Sequence, residues 1–457
     1  MSLEEKIFNF KVNISVIGLG YVGLPLALNL ADVGYRVTGI DLSASKVDML
    51  GRGESYIRDI PNEVLWKVKQ TGRFHASNDF SFIQHSDVII ACVPTPLNEY
   101  AEPDLSAIYS VVEHLQSYMK KESLIILEST TYPGCTEEII QARLEATGLQ
   151  AGRDFYLCFS SERIDPSNKH YTLDNTPKIV GGTTPQCSKI ASEMYKKICK
   201  EVITVSSPKV AEFSKLLENT FRSVNIAFIN EIAMMSEKMG VDVWEVINAA
   251  STKPFGFMPF FPGPGIGGHC IPLDPMYLSW KAKYYKFFSR FIDLANVINN
   301  SMPDYVVKKL HKLLNKRSLP INKSKILILG VAYKPEVNDY RESPALELIR
   351  LLLAEGALID FYDPYVDRIT LQDGHTMFSV AYDLKAFKQY ECYILVTAHK
   401  SFHYRELKDL NVPIFDTRDA FRSFDDAHIY KLGSGLENET NYDAQGKWIE
   451  KVSSVQV

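Results

Sequence analysis

Several patterns that would mark a specialised class of protein are missing from this sequence of 457 residues. No uninterrupted apolar run reaches about 18 residues, so no membrane-spanning helix is expected. The opening MSLEEKIFNFKVNISVIG lacks a secretory-signal pattern and leads directly into a strand. The net charge of −5 argues against nucleic acid as the main partner. We therefore expect a cytoplasmic protein that binds neither membrane nor nucleic acid.

Disulfide and metal patterns are also missing. The seven cysteines are odd in number and include no Cys-x-x-Cys pair, so neither a disulfide framework nor a zinc site is expected. The ten histidines are scattered along the chain, without mixed histidine and carboxylate ligand spacing. We expect no metal.

The first part of the chain alternates strands with helices, and 457 residues are too many for one hydrophobic core. A β-rich run at 12–18 is followed by a helical stretch at 21–34 and a second strand at 35–41. Further apolar runs lie at 87–93, 123–129, 154–160 and 177–182. Strands spaced by helices of this length predict a mostly parallel, doubly wound sheet, here assigned to residues 1–207.

A helical middle, residues 208–315, is expected next. Residues 210–250 are nearly free of glycine and proline, and a second helical stretch covers 275–315. Pro208 suits the first turn of a long helix. Residues 254–275 are dense in proline, glycine and aromatics, which indicates an irregular and functional loop.

The last part restarts the strand–helix alternation. Strands are expected at 323–333, 357–365, 390–399 and 412–417, with a helix at 343–356. This predicts a smaller Rossmann-like domain over 316–436 and a frayed or disordered tail over 437–457. The predicted fold is α/β, with two Rossmann-like, doubly wound parallel-sheet domains joined by a central helical domain.

A dinucleotide-binding turn is predicted at GLGYVG (18–23), which follows a strand and opens a helix. Gly18 permits the tight turn, Gly20 lets a pyrophosphate approach, and Gly23 allows close packing. Asp41 ends the next strand, where an acid binds the adenosine ribose and repels a 2′-phosphate, so NAD is favoured over NADP. Lys46 either contacts the cofactor or lies on the helix surface.

The irregular loop contains Gly267-Gly268-His269-Cys270, with Asp274 four residues further on. A loop cysteine near basic groups is either a thiolate nucleophile or a structural thiol. Asp274 either orients a water or a lysine, or is a turn residue beside Pro275. These residues taken alone leave both alternatives open.

Further candidates share a helix face or follow strand ends. Lys215 and Asn219 are four apart on one helix face, where they could hold a developing alkoxide or simply face solvent. Thr95, Thr130 and Glu162 each follow a strand at the carboxyl edge of the sheet, where ligands bind. We expect these three around one cleft.

Seven ordered motifs resemble the UDP-glucose/GDP-mannose dehydrogenase family over nearly the whole chain. They are GLGYVGLP (18–25), VPTP (93–96), ESTTYPG (128–134), SSERIDP (160–166), KLLENTFRSVNIAFINE (215–231), PGPGIGGHC (262–270) and KPEVNDYRES (334–343). The resemblance implies NAD on the first domain, a UDP-sugar between the helical middle and the third domain, and dimers formed through the middle helices.

The resemblance also implies roles for individual residues. The catalytic set is Cys270 as nucleophile, Lys215 and Asn219 for oxyanion and water, Asp274 beside the thiol, and Thr130 and Glu162 for positioning water or substrate. The full set expected to contact the cofactor is Gly18, Gly20, Tyr21, Val22, Gly23, Asp41, Lys46, Thr95, Thr130 and Arg341. The set expected to contact the substrate is Glu162, Arg163, Lys215, Asn219, Lys253, Phe261, Gly265, Gly267, Tyr333, Lys334 and Arg418.

The implied chemistry is a four-electron oxidation at C6 of the sugar. A first hydride leaves C6 to NAD, and Cys270 holds the resulting aldehyde as a thiohemiacetal. A second hydride transfer gives a thioester, which water releases as a uronic acid. The covalent bond keeps the aldehyde from escaping between the two NAD molecules.

The sequence departs from the UDP-glucose branch of the family. Pro166 stands where that branch has a second glutamate, and Lys253 lies where relatives of that branch place an arginine from a neighbouring subunit. The runs 161–168 and 252–275 resemble the UDP-N-acetylglucosamine 6-dehydrogenase branch, although Ser161 stands where that branch usually has proline. We therefore expect oxidation of UDP-N-acetylglucosamine, for surface polysaccharide.

Other functions remain open at this point. The same chemistry on UDP-N-acetylmannosamine, UDP-N-acetylgalactosamine or UDP-glucose is the nearest alternative. Others are a catalytically silent nucleotide-sugar sensor, a simple alcohol dehydrogenase that releases an aldehyde, and a 3-hydroxyacid-type dehydrogenase. The last would need neither the Cys270 loop nor a second Rossmann-like domain.

Overall fold

The computed structural model describes residues 1–57, 59–163, 170–268, 270–424 and 426–434. The chain divides into two compact units, Met1–Phe221 with Leu273–Ser289 and Arg222–Pro272 with Arg290–Val457. Pro166, His269 and the tail at 437–457 lie outside the described residues.

The first unit contains a doubly wound sheet. Its strands are β1 (Asn13–Ile17), β2 (Arg36–Ile40), β3 (Phe74–Ser77), β4 (Val88–Ala91), β5 (Leu124–Leu127), β6 (Tyr156–Phe159), β7 (Lys178–Gly182) and β8 (Val202–Val205). They lie in the order β3-β2-β1-β4-β5-β6-β7-β8, and all pairs are parallel except β6 with β7. Every residue of β4 and β5 is buried, as expected for strands covered by helices on both faces.

The second unit contains a smaller parallel sheet. Its strands are β9 (Lys325–Leu329), β10 (Leu358–Tyr362), β11 (Arg368–Thr370), β12 (Thr376–Phe378), β13 (Cys392–Leu395), β14 (Ile414–Asp416) and β15 (Ile429–Lys431). The sheet order is β10-β9-β13-β14-β15, while β11 and β12 form a separate antiparallel pair. The sequence analysis did not anticipate β11, β12 or β15.

The helices in chain order are α1 (Leu3–Phe8), α2 (Gly23–Val33), α3 (Ala44–Arg52), α4 (Asn62–Gln70), α5 (Ser106–Tyr118), α6 (Ala142–Glu145), α7 (Pro185–Tyr195), α8 (Pro208–Met239), α9 (Val243–Ser251), α10 (Asp274–Tyr284), α11 (Arg290–Lys316), α12 (Pro344–Ala354), α13 (Leu384–Phe387) and α14 (Tyr404–Asp409). A 3-10 helix covers Phe80–His85 and a π-helical turn covers Thr136–Gln141. No helix in the described part of the chain combines the length and apolar character that a membrane span requires.

Both helical stretches expected in the middle of the chain are divided in two. The first ends as α8 because Gly240 adopts a left-handed conformation with φ of 73°. Asp242 then starts α9 by accepting a hydrogen bond from the Trp244 N–H at 2.9 Å. The second stretch is divided between α10 and α11 where Lys286 has φ of 56°.

The predicted fold class is confirmed, with two parallel-sheet regions of Rossmann type and a central helical region between them in the chain. Helix starts follow local chemistry, since Ser43, Thr184 and Ser343 cap α3, α7 and α12 with their hydroxyls. These elements place the candidate residues at the carboxyl ends of strands and at helix starts.

Candidate active site

The glycine turn between β1 and α2 fits a bound pyrophosphate. Gly18 has φ of +90°, and a Cβ there would lie 2.5 Å from the Cys92 carbonyl oxygen. A Cβ on Gly23 would lie 1.8 Å from the Gly18 carbonyl oxygen, whereas at Gly20 it would meet nothing within 4 Å. Helix α2, which begins at Gly23, has no side-chain N-cap, and the positive end of a helix at such a turn favours a phosphate. Tyr21 and Val22 belong to the same turn.

Asp41 closes this turn at the end of β2. Its carboxylate accepts hydrogen bonds from the backbone N–H groups of Leu19 and Ser43, both at 2.9 Å. Lys46 lies 3.2 Å from the same carboxylate, so it is paired with Asp41 rather than with solvent alone. Tyr56, which the sequence analysis missed, donates its hydroxyl to the Leu19 carbonyl at 2.5 Å. An acid held here suits an NAD ribose.

A buried carboxylate lies on the first unit's helices. Asp274, at the start of α10, is 4% exposed, and the Asn219 amide donates to it at 2.5 Å. Burial raises the pKa of Asp274 to about 6, although the charge of Lys215 and the hydrogen bond from Asn219 act to lower it. The structure thus brings Asp274 beside Lys215 and Asn219, which precede it by more than fifty positions in the sequence. Their catalytic roles stay predictions.

A second buried carboxylate, Glu212, was missed as a site residue. It lies one turn before Lys215 on α8 and is fully buried. It accepts hydrogen bonds from the Gly134 N–H at 2.5 Å, the Thr136 N–H at 2.9 Å and the Thr136 hydroxyl at 2.6 Å. Burial raises the pKa of Glu212 to about 7 against these bonds. Glu212 therefore ties α8 to the segment that follows Thr130.

The strand-end candidates form two groups of contacts. The Thr95 hydroxyl donates to the Thr130 carbonyl at 2.6 Å, and the Thr95 carbonyl accepts from the Tyr277 hydroxyl at 2.5 Å. Glu162 accepts from the Arg163 N–H at 2.6 Å. Thr130 and Glu162 follow the neighbouring strands β5 and β6, which keeps both at one edge of the sheet.

Arg163 is held by other protein groups. Its guanidinium donates to Glu218 at 2.7 Å and to the Pro177 carbonyl at 2.7 Å. The predicted substrate contact of Arg163 would have to compete with these bonds, and it stays a prediction.

In the second unit, the loop that carries Cys270 packs against the segment after β9. Cys270 is exposed. A Cβ on Gly267 would lie 2.8 Å from the Glu342 carbonyl oxygen, and one on Gly268 would lie 2.8 Å from the Tyr333 ring. The Gly268 N–H donates to the Arg341 carbonyl at 3.3 Å. Only glycines permit this close approach beside Cys270.

Two buried amides, also missed, hold the same loop. Asn230 on α8 accepts from the Gly263 N–H at 3.0 Å and donates to Asn299 on α11 at 3.1 Å. Asn299 in turn donates to the Ser223 carbonyl at 3.1 Å. Gly265, with φ of +132°, lies against Pro344, 3.1 Å from where its Cβ would be.

The other substrate candidates in the second unit surround this loop. The Arg418 Nε donates to the Val396 carbonyl at 2.8 Å, and a Cβ on Gly263 would lie 2.3 Å from the Arg418 guanidinium. Phe261 stacks on Trp244 with ring centroids 6.0 Å apart. Lys334 lies 5.8 Å from the Tyr333 ring centroid.

The side chains of two further candidates have local partners. Arg341 forms a bidentate pair with Asp339 at 2.9 and 2.6 Å, so its predicted cofactor contact needs a change of partner. Lys253 is exposed, with its ammonium 5.0 Å from the Phe255 ring centroid. Both roles stay predictions.

A four-residue histidine spacing occurs once near β13, at His399 and His403. The two His399 ring nitrogens are engaged, one by the Glu336 N–H at 3.0 Å and one by Asp363 at 3.2 Å. Among the described residues, no group of three or more His, Cys, Asp or Glu side chains is placed to hold a metal ion.

Comparison with known proteins identifies the family. Family profiles match three consecutive segments, described as the NAD binding domain (12–199), the central domain (209–301) and the UDP binding domain (327–423) of the UDP-glucose/GDP-mannose dehydrogenase family. The UDP-N-acetyl-D-glucosamine 6-dehydrogenase of Pseudomonas aeruginosa is 34% identical over 397 residues, which cover 86% of this chain and 91% of that protein.

Two further comparisons involve Pyrococcus horikoshii. Its UDP-N-acetyl-D-mannosamine dehydrogenase is 35% identical over 358 residues, 78% of this chain and 84% of that protein. The solved structure of a UDP-D-ManNAc dehydrogenase from the same organism superposes with a TM-score of 0.85 at 31% identity, covering 93% of this chain and 99% of that chain. The chain therefore belongs to the UDP-glucose/GDP-mannose dehydrogenase family and is an NAD-dependent UDP-sugar dehydrogenase.

Proposed function

We propose that this enzyme oxidises UDP-N-acetylglucosamine at C6 to UDP-N-acetylglucosaminuronate, in a four-electron reaction that proceeds through a covalent bond to Cys270. The observation that carries the proposal is the exposed Cys270 thiol on a loop whose glycines pack against Tyr333 and the Arg341 carbonyl. A structural thiol would instead be buried, as Cys135, Cys158 and Cys392 are.

The proposed chemistry uses Cys270 twice. NAD, when bound, accepts the hydrides that leave C6. With the first hydride, the C6 hydroxyl gives up its proton to water, which leaves an aldehyde. The Cys270 sulfur adds to the C6 aldehyde, and the carbonyl oxygen takes up a proton to give a thiohemiacetal. Loss of a hydride and of the hydroxyl proton leaves a thioester on the same sulfur. Water then attacks the carbonyl carbon, the C–S bond breaks, and the uronate leaves with the thiol restored.

Lys215, Asn219 and Asp274 supply the electrostatics of this proposal. The Lys215 ammonium stabilises the developing alkoxide, a role that is typically worth about 3–4 kcal/mol for a well-placed donor. Asn219 is oriented by its hydrogen bond to Asp274 at 2.5 Å. Glu162 and Thr130, at neighbouring strand ends, are proposed to position water or substrate.

The sugar is the finer part of the proposal. The relatives named above act on UDP-N-acetyl-D-glucosamine and UDP-N-acetyl-D-mannosamine, at 34% and 35% identity. Two sequence features favour a 2-acetamido sugar. They are Pro166, which departs from the UDP-glucose branch, and the sequence of the 252–275 loop. No observation favours a silent sensor.

A substrate panel tests the assignment. Initial NADH formation would be measured with UDP-N-acetylglucosamine, UDP-N-acetylmannosamine, UDP-N-acetylgalactosamine and UDP-glucose. We expect the highest kcat/KM with UDP-N-acetylglucosamine, and a clear preference for UDP-glucose would overturn the branch assignment. Cys270→Ser should abolish turnover while calorimetry still detects binding of the same sugar.

We also propose the organisation that the sequence analysis predicted. An NAD-binding domain at 1–207, a helical domain at 208–315 and a UDP-sugar domain at 316–436 are supported by the three matched segments. A cytoplasmic homodimer, acting in surface polysaccharide synthesis, completes the proposal.

A further inference from the structure

A buried lysine lies directly behind Glu162. Lys178 is the first residue of β7, and its side chain is 2% exposed. Its ammonium lies 2.7 Å from Glu128 and 3.7 Å from Glu162. The Tyr195 hydroxyl, on α7, donates to the other Glu128 oxygen, and the Lys178 ammonium lies 5.1 Å from the Tyr195 ring centroid. One cation is thus shared by two carboxylates.

The two thiols and the phenol next to this cluster are neutral near neutral pH. Burial raises the pKa of the Cys199 thiol to about 11, raises the pKa of the Cys92 thiol well above its ordinary value, and does the same for the Tyr195 hydroxyl. Arg163 and Glu218 form their own ion pair at 2.7 Å. Among the described residues, Lys178 and Glu128 therefore contribute to the charge balance at Glu162.

The two carboxylates differ in what surrounds them. The Glu128 side chain is fully buried, whereas the Glu162 side chain is 13% exposed. Burial alone lowers the pKa of Lys178, but the charges of Glu128 and Glu162 outweigh it and raise that pKa above its ordinary value. Lys178 therefore lies between the fully buried Glu128 carboxylate and the Glu162 carboxylate, which lies at the carboxyl edge of the sheet.

We propose that Lys178 is a positioning residue for the reaction, and that its positive charge orients the Glu162 carboxylate while Glu128 and Tyr195 hold the lysine in place. This inference rests on the proposed function, in which Glu162 positions water or substrate. Without the cation, two carboxylates would share one buried space, and the pair would take up a proton as like charges do.

The first test needs no catalysis. Thermal midpoints of wild type and Lys178→Met would be measured from about pH 5.5 to about pH 8.5. A carboxylate pair without its cation binds protons more tightly when folded than when unfolded, so the variant loses stability as pH rises. We expect the deficit to grow with pH, and to grow less steeply in both Lys178→Met/Glu128→Gln and Lys178→Met/Glu162→Gln.

The stability result decides whether the cation acts on Glu162. A deficit that is independent of pH, or one that Glu162→Gln leaves unchanged, would overturn the proposal. If Lys178→Met does not fold, the Lys178→Met/Glu128→Gln pair replaces it, because a neutral pair can substitute for a buried ion pair. The comparison is then this double variant with and without Glu162→Gln, and the same dependence on Glu162 is expected.

The second test uses the holoenzyme with NAD and UDP-N-acetylglucosamine. In Lys178→Met, the acid limb of the pH profile of kcat should shift to higher pH by about one unit, while the KM for NAD stays unchanged. Lys178→Arg should restore the wild-type limb. Lys196→Met, which removes an exposed lysine paired with Glu193, should leave the acid limb where it is in wild type.

If the acid limb does not shift in Lys178→Met, the lysine is only structural. If the wild type forms no NADH, the proposed function is wrong. The stability test still shows whether the charges of Lys178 and Glu162 are coupled.

Discussion

Asp274 and Glu212 are two carboxylic acids that protein folding removes almost completely from water. The pKa of each is raised for the same reason, because an ionised carboxylate loses hydration that its partners in the protein replace only in part. Asp274 has Asn219 and the charge of Lys215, while Glu212 has three donors around the Gly134–Thr136 segment. Both therefore change charge near the pH at which enzymes usually operate.

Asp274→Asn is predicted to stabilise the protein at alkaline pH and to impair it as a catalyst. The folded pKa of about 6 exceeds the ordinary 3.8, so the stability that this group contributes is present below about pH 4 and is lost as pH rises through about 6. The neutral variant avoids that loss, worth up to about 3 kcal/mol. Its turnover should fall about 100-fold.

Unfolding midpoints at acid and alkaline pH, together with NADH formation rates, check this prediction. Asp304→Asn, at an exposed carboxylate on α11, is the control and should change neither quantity. The prediction is wrong if Asp274→Asn gains no stability between the two pH values.

Sequence reasoning proposed candidate residues where a local sequence pattern points to a function. Gly20 and Asp41 follow from a strand–turn–helix arrangement, and Cys270 from a loop of glycines and prolines. Lys178, Glu212 and Asn230 carry no such signal, because a lysine at a strand start or a glutamate on a helix is usually solvated. Their importance comes from burial by segments distant in the sequence, which only the folded chain reveals.

At the scale of single elements, the glycines of the turn at 18–23 are needed for two different reasons. At Gly18 and Gly23 the backbone itself leaves no room for a Cβ, whereas the space at Gly20 is open. A glycine that packing does not require is best explained by something that approaches from outside, here the pyrophosphate of NAD.

Gly20→Ala is predicted to fold normally and to bind NAD poorly. An alanine at this open position should change the free energy of unfolding by less than about 1 kcal/mol, but its methyl group would occupy the path of the phosphates. We expect the KM for NAD to rise about tenfold or more, against a small change in the KM for the sugar.

Gly51→Ala is the matched control, since a Cβ there also meets nothing within 4 Å and Gly51 lies at the end of α3, away from the turn. It should leave both KM values unchanged. Gly23→Ala, which collides with backbone, should instead lower the thermal midpoint. Equal KM values for NAD in wild type and Gly20→Ala would contradict this account.

The elements themselves were predictable to different degrees. Strands such as β4 and β5 are buried on both faces and so read as continuous apolar runs. The break between α8 and α9 was missed because one glycine, Gly240, inside a helical pattern does not by itself end a helix. The pair β11 and β12 is three residues long on each side, too short for an alternating pattern to stand out.

At the scale of the whole molecule, the long helix α8 presents an apolar stripe to solvent. Its members are Phe213, Leu217, Phe228 and Met235, which are 45%, 56%, 58% and 47% exposed. At about 100° per residue these four positions fall within an arc of about 60°. A continuous stripe of large apolar side chains is typical of a surface that another chain covers.

Phe228→Asp is therefore predicted to weaken self-association, because a buried aspartate without a partner is costly at an apolar interface. Light scattering across a dilution series should give the mass of two chains for wild type and of one chain for the variant. Val64→Asp, at an exposed apolar residue on α4, is the control and should keep the mass of two chains. A wild-type protein that is a single chain at all concentrations would refute the dimer.

The central claim is that one thiol, Cys270, holds the sugar between two oxidations at the same carbon. The most direct measurement is the number of NADH molecules formed per UDP-N-acetylglucosamine consumed when a limiting amount of sugar is converted completely. The account predicts two NADH and a uronate product. A ratio of one, with the aldehyde released into solution, would contradict it.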